Sequence, residues 1–108
     1  MIKDSFPTGS RVYGTPKLDS DFDIVVLCSQ EDAIKVFGYL HPDDAMYPID
    51  ENSIHIKKGE VDYILCFNEI RFCTWKSVTE TLKKIAPVDR DTAKALFICG
   101  FKKEVHDA

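Results

Sequence analysis

The sequence predicts a single α/β (α+β) domain, residues 1–108, in which helices pack on one face of a small mixed β-sheet. Residues 22–28 are continuously apolar after the first two positions and predict a buried central strand. Residues 53–57 and 60–67 flank a turn at Gly59 and predict a hairpin. Two segments with apolar residues at helical spacing follow the hairpin. With 108 residues, 44% of them hydrophobic, the chain can bury one core but not two.

The elements before the hairpin follow from local signals. Residues 2–8 predict a weak strand, and Pro7 indicates that this strand is short or lies at a sheet edge. Residues 11–16 predict one short helical turn or a loop. Ser29 is a good N-cap for an amphipathic helix over 30–40, because acidic residues in the first turn suit the helix dipole.

Capping residues and prolines set the remaining boundaries. Residues 41–52 contain two prolines and four acidic residues and predict a loop. Asn68 is the expected cap of a helix that Pro87 ends, and Asp89 is the expected cap of the last helix. Trp75 and the phenylalanines of these helices are assigned to the core rather than to a platform for stacking bases.

A glycine-serine turn ahead of a pair of aspartates is the most informative motif. Asp21 and Asp23 flank Phe22 at the start of the apolar strand, so their side chains point to the same face. Their Cα atoms lie roughly 6.6 Å apart in such a strand, close enough for both carboxylates to bind Mg²⁺. Gly9 permits a tight turn, and the Ser10 hydroxyl with nearby N–H groups could hold phosphate oxygens. This combination predicts phosphoryl or nucleotidyl transfer.

Gly-Ser, ten intervening residues and Asp-x-Asp resemble the signature of the polymerase-β-like nucleotidyltransferase superfamily. The likeness covers residues 9–27 and is closest to the minimal members, small stand-alone enzymes and the antitoxins of two-gene toxin pairs. Gly14 stands at the family's spacing, and Ser20 precedes the first aspartate. The resemblance implies the nucleotidyltransferase fold and a third acid on a later neighbouring strand. Asp62 occupies that place, with Glu60 on the same face as the second choice.

The resemblance also implies a reaction. A nucleoside triphosphate, ATP as the first choice, would give up its NMP to an acceptor hydroxyl and release pyrophosphate, with two Mg²⁺ ions, or Mn²⁺ in their place. The residues implied for metal binding and catalysis are Asp21, Asp23 and Asp62, the last of which would also take the acceptor's proton. The residues implied for the nucleotide are Gly9, Ser10, Arg11 and Ser20. Arg11 could pair with a phosphate or could equally bridge an aspartate on the surface.

Other interpretations stay open at this point. The glycines could be ordinary loop residues and the aspartates a solvated strand end. The chain could also be a catalytically inactive module that binds a nucleotide or a partner, although a pure binder has no need for clustered acids. Since it lacks the extra helical domain of larger members, it could act with a partner protein or as a homodimer. Transfer of a γ-phosphate is disfavoured because no Walker-type Gly-Lys-Ser/Thr is present.

Charge and hydropathy limit the kinds of binding partner and the cellular location that we expect. The formal net charge of −4 disfavours long nucleic acid, since proteins that hold it usually carry a basic surface. No apolar run approaches the roughly 18 residues of a membrane span, and residues 1–8 lack the features of a signal peptide. We therefore expect a cytoplasmic protein that acts on a small nucleotide.

Cysteine and histidine give no further site at this stage. The cysteines stand singly among apolar neighbours and predict buried free thiols rather than disulfides or a zinc site; they are Cys28, Cys66, Cys73 and Cys99. The histidines are scattered and show no metal-ligand pattern; they are His41, His55 and His106.

Overall fold

A five-stranded mixed sheet organises the chain in the computed structural model, which describes residues 2–17, 20–37, 45–50 and 53–104. The strands are β1 (Asp4–Thr8), β2 (Phe22–Leu27), β3 (Ala45–Asp50), β4 (Ser53–Lys58) and β5 (Val61–Cys66). The helices are α1 (Ser10–Tyr13), α2 (Gln30–Phe37), α3 (Glu69–Ile85) and α4 (Arg90–Lys102). The predicted fold class, a small mixed sheet with helices, is confirmed.

The strand order is β1-β2-β5-β4-β3, and β2 and β5 form the parallel pair. In that pair Asp23 lies directly opposite Asp62. On the other side of β2, the antiparallel β1 places Thr8 opposite Asp23. β1 is an edge strand, which accommodates Pro7 as predicted because an edge position needs no second ladder hydrogen bond. The sheet register therefore brings two of the predicted acids together.

The alternation of β2 side chains defines two sides of the core. Val25 packs with Ile64 of β5 and Phe72 of α3, so α3 covers the face to which Asp23 also belongs. On the opposite face, Val26 packs with Leu65 and with Ala33 of α2. The prediction that helices pack on one face therefore describes α3 and the layer built on it, whereas α2 lies on the other face.

A third cluster joins α3 to α4 and α1. Leu82 and Val88 pack with Phe97, and Tyr13 of α1 contacts the same cluster. Trp75 belongs to this aromatic core, as predicted, with its ring centroid 4.4 Å from that of Phe97. These contacts hold α1 against α3 and α4.

The predicted helix boundaries agree with the structure. Ser29, Asn68 and Asp89 each accept a hydrogen bond from the backbone N–H three residues later, at 3.1, 2.7 and 2.6 Å respectively. α3 ends at Ile85, before Pro87, as expected. α2 begins as predicted, and residues 38–40 of the predicted helix lie outside the described residues.

The predicted loop over 41–52 is wrong in its middle, where β3 (Ala45–Asp50) pairs antiparallel with β4. Prolines suggested a loop, but β3 is the outer strand of the sheet, and Pro48 lies beside a shift of register between Pro48 and Asp50. A proline is tolerated at such an edge irregularity because no ladder N–H is required of it. Residues 41–44 and 51–52 lie outside the described residues.

The cysteines only partly follow their prediction. All four are free thiols, as expected. Cys28 and Cys66 are buried, but Cys73 and Cys99 are exposed. The error arose because apolar neighbours on a helix do not fix which face a residue occupies.

Candidate metal centre

Asp23 and Asp62 come together at the start of the parallel strand pair. They are direct partners in the register of β2 and β5, and both side chains are partly buried. With His55 they form a group whose nearest ligand atoms all lie within 4.8 Å of one another. We call this group the Asp-His-Asp cluster. The residue that the sequence proposed as the third acid, Asp62, therefore lies beside Asp23.

His55 was missed by sequence reasoning, which found no metal-ligand pattern among the histidines. In the β4–β5 hairpin Lys57 lies opposite Asp62, so His55, two residues earlier, lies on the same face and one diagonal step away. Its Nε2 atom lies 3.4 Å from Oδ2 of Asp62. The available signal was the two-residue turn at Gly59, since counting back from it by the strand period of two places His55 beside Asp62.

Asp21 lies outside the cluster but acts on it. Its Oδ2 atom is 2.9 Å from Nζ of Lys57, whose side chain is 43% exposed. The negative charge of Asp21 also raises the pKa of Asp23. Glu60, the second choice for the third acid, is exposed in the turn before β5, and its carbonyl oxygen accepts the Phe22 N–H at 2.9 Å. Glu60 is not a member of the cluster.

The electrostatics of Asp23 show how unfavourable the cluster is without a cation. Burial, followed by the charge of Asp62 and a hydrogen bond with it, raises the pKa of Asp23 from 3.8 to about 7. The positive charge of Lys57 opposes that rise. Oδ1 of Asp62 is buried and has no hydrogen-bond partner in the part of the chain that the structure describes. An additional positive ion would relieve both features.

Gly9 makes the position of Asp23 sterically feasible. Its backbone has φ +86° and ψ −172°, a region that is essentially restricted to glycine. A Cβ atom at this position would overlap Oδ2 of Asp23 and lie 2.7 Å from Cγ. The sequence predicted a tight turn here for approach of a phosphate. In the structure the group that lies against the glycine is the Asp23 carboxylate.

Arg11 is joined by hydrogen bonds to Ser20, the residue before Asp21. Nε and Nη2 of Arg11 donate to the Ser20 carbonyl oxygen at 2.9 and 2.6 Å, and the guanidinium lies 4.3 Å from the centre of the Phe22 ring. The Ser20 hydroxyl accepts the Lys17 N–H at 2.8 Å. Arg11 therefore bridges to a backbone carbonyl, and its pairing with a phosphate or with a surface aspartate stays a prediction. Ser10, the remaining residue implied for the nucleotide, is the first residue of α1, directly after Gly9.

A buried polar group supports the cluster from the helical side. The hydroxyls of Thr8 and Thr79 lie 2.8 Å apart, and both side chains are buried. Burial raises the pKa of Tyr13, a hydrogen bond with Thr8 lowers it, and the charge of Asp23 raises it again. These interactions join α1, α3 and β1 directly behind Asp23. The sequence gave no signal for this contact.

No protein-family model matches the chain, and no match was found among curated proteins or among solved structures. Within the described ranges, no helix combines the length and apolar character needed to cross a membrane. Function is therefore inferred from the residues around Asp23 and from the motif that contains them.

Proposed function

We propose that the protein is a metal-dependent nucleotidyltransferase that moves a nucleoside monophosphate, AMP from ATP as the first choice, onto an acceptor hydroxyl and releases pyrophosphate. The observation that carries the proposal is the meeting of Asp23 and Asp62 on neighbouring parallel strands, directly beside the Gly9 turn. The sequence likeness to the polymerase-β-like nucleotidyltransferases supplies the reaction that such a site would perform.

The residues fit the metal that this reaction requires. Asp23 and Asp62 offer carboxylate oxygens at close range, and the buried Oδ1 of Asp62 has no hydrogen-bond partner among the described residues. Hard oxygen ligands of this kind suit Mg²⁺. Asp21, Asp23 and Asp62 would hold the ions, which when bound neutralise charge on the triphosphate and on the pyrophosphate leaving group.

The other groups of the site would position the substrates. The Ser10 hydroxyl, next to the tight turn at Gly9, would donate to a phosphate oxygen. The ammonium group of Lys57 is partly exposed beside Asp21 and could turn to a phosphate oxygen as a charged donor. The Asp62 carboxylate would accept the proton of the acceptor hydroxyl as the hydroxyl oxygen attacks the α-phosphorus and pyrophosphate leaves.

Transfer of label from ATP tests the proposal. The protein is incubated with α-labelled ATP, Mg²⁺ and candidate acceptors, including partner proteins and small alcohols, and both label transfer and pyrophosphate release are measured. Asp23→Asn and Asp62→Asn should each lower the rate by about a hundredfold or more, because the stabilisation of charge in the transition state is lost. Asp91→Asn, which removes an exposed carboxylate in the first turn of α4, is the matched control and should leave the rate unchanged.

A second measurement separates an enzyme from a binding module. If ATP with Mg²⁺ binds in calorimetry, no acceptor releases pyrophosphate, and Asp23→Asn binds as tightly as the wild type, the catalytic proposal is wrong. The fold would then serve recognition alone.

A further inference from the structure

His55 gives the Asp-His-Asp cluster a nitrogen ligand that the sequence motif does not contain. We infer that His55 is a metal ligand and that the cluster therefore prefers a divalent transition-metal ion to Mg²⁺. The inference deepens the proposed function and rests on it in one respect, the assignment of Asp23 and Asp62 as metal ligands.

The observed spacing suits a shared ion. Nε2 of His55 lies 3.4 Å from Oδ2 of Asp62. Two ligand atoms that each bind one ion at about 2.0–2.1 Å in tetrahedral geometry lie roughly 3.3–3.4 Å apart. Asp23 completes the group, with all three ligand atoms within 4.8 Å of one another. Side-chain rotation would bring the three atoms around one ion.

The fold holds these ligands on rigid elements. Asp23, His55 and Asp62 come from three adjacent strands of one sheet, so the register of the strands fixes their separation. The side chain of His55 is 31% exposed and that of Asp62 only 15%. The imidazole ring is therefore more exposed than the Asp62 carboxylate, while its Nε2 atom is buried inside the cluster.

A second feature of the cluster independently indicates a ligand. Oδ1 of Asp62 is buried and accepts no hydrogen bond from the described part of the chain. A buried carboxylate oxygen without a partner carries the full cost of its lost hydration, so such atoms usually contact an ion or water. The His55 distance, which is to Oδ2, and the unsatisfied Oδ1 thus belong to the same Asp62 carboxylate.

Ligand chemistry then selects the type of ion. Mg²⁺ prefers six oxygen ligands and keeps several waters, whereas imidazole nitrogen suits zinc, cobalt, nickel and similar ions. A site of two carboxylates and one imidazole should therefore bind Co²⁺ more tightly than Mn²⁺, and Mn²⁺ more tightly than Mg²⁺, in line with the general order of affinities. A site of carboxylates alone would not discriminate so strongly against Mg²⁺.

Metal binding without nucleotide tests the inference. The full chain, freed of metal with EDTA and dialysed, is titrated with Co²⁺ or Mg²⁺ in calorimetry, and the visible absorption of bound Co²⁺ reports nitrogen ligation. His55→Gln should weaken Co²⁺ binding by at least about tenfold, since even partners that merely orient a ligand contribute that much. The affinity of His55→Gln for Mg²⁺ should differ little from that of the wild type. His55→Glu, which keeps a ligand of similar reach but replaces nitrogen by oxygen, should shift the preference toward Mg²⁺.

Lys58→Gln, on the opposite face of β4, serves as the control and should bind Co²⁺ like the wild type. If His55→Gln and His55→Glu, both folded by circular dichroism, bind Co²⁺ as tightly as the wild type while Asp23→Asn does not, the role of His55 is refuted and the carboxylate metal site stands. If Co²⁺ binds through His55 but no nucleotide is transferred, the inference holds and the proposed function fails. If no divalent ion binds, the assignment of His55 as a ligand and the assignment of Asp23 and Asp62 as metal ligands are both wrong.

Discussion

Replacing Asp23 by asparagine should make the metal-free protein more stable at alkaline pH, even though it removes a central residue of the site. The carboxylate is partly buried next to Asp62, and these surroundings raise its pKa to about 7. In the unfolded chain the same group titrates near its ordinary value of 3.8. The folded state therefore binds an extra proton between these two values, and it loses stability as the pH rises through that window. Above about pH 7 the destabilisation is complete, and below about pH 4 it is absent.

The size of the effect follows from the shift. A rise of about three pKa units corresponds to about 4 kcal/mol, at about 1.4 kcal/mol for each unit. Asp23 is only partly buried, so solvent screening reduces this value, and we expect about 2 kcal/mol. Asparagine has nearly the same shape but no charge, so Asp23→Asn should recover this amount at about pH 8. At about pH 5 the difference between variant and wild type should be less than half as large.

Urea denaturation in EDTA at several pH values measures this difference. The difference in the free energy of unfolding between Asp23→Asn and the wild type cancels the contributions of the other titrating groups. Asp91→Asn, which removes an exposed carboxylate on α4, shows whether the loss of any negative charge has the same effect. Saturation with Co²⁺ or Mg²⁺ should reverse the order, because the ion stabilises the wild type by binding its native state. A stability difference that stays constant with pH, or an Asp23→Asn protein that is less stable than the wild type at about pH 8 without metal, would refute the reasoning.

Three further substitutions test the fold around the site. Gly9→Ala should lower the free energy of unfolding by about 1–3 kcal/mol through backbone strain alone, and by more because the new Cβ overlaps Asp23. In an Asp23→Ala background, the part of the loss that comes from this overlap should shrink. If Gly9→Ala costs the same in both backgrounds, the contact between Gly9 and Asp23 is contradicted. Glu104→Gln breaks the buried pair with Arg71, 2.7 Å between Oε1 and Nε, and should cost about 3–5 kcal/mol in urea denaturation; a marginal loss would show that the pair is dispensable. Asp89→Ala removes the cap of α4 and should cost about 1 kcal/mol in thermal denaturation, whereas an unchanged melting temperature would argue against the cap.

The elements that could be predicted from the sequence depend on short-range signals. The strand at 22–28, the turn at Gly59 and the caps Asn68 and Asp89 each follow from residues within a few positions of one another. Such signals act on the backbone before any distant contact forms. Their success here reflects agreement between local preference and the final fold.

β3 could not be predicted because its existence depends on a distant partner. Its proline and acidic neighbours favour a loop locally, and only pairing with β4 at the edge of the sheet stabilises an extended strand there. The contribution of β-pairing is set by context rather than by intrinsic preference. Composition alone therefore misassigned the segment around Pro48.

The candidate site also contains residues that could be predicted from the sequence and contacts that could not. Asp21, Asp23 and Asp62 could be proposed from a motif and a family likeness, but their relation to Gly9 could not. β1 places Thr8 opposite Asp23, so the next residue, Gly9, meets the carboxylate only after the two strands have paired. His55 could have been predicted from the sequence, since the hairpin register determines which residues of β4 share a face with Asp62.

Several departures from ordinary structural rules meet at Asp23. Gly9 adopts a conformation that other residues avoid, two carboxylates lie close together away from full solvent, and a buried oxygen of Asp62 has no hydrogen-bond partner among the described residues. A solvated strand end, the plainest alternative for the aspartates, would require none of these features, because exposed carboxylates can turn apart and remain hydrated. The neighbouring caps and apolar contacts obey the usual rules. Such a local conflict inside an otherwise consistent fold is expected at a functional or strained site, and it supports the proposal that a cation binds here.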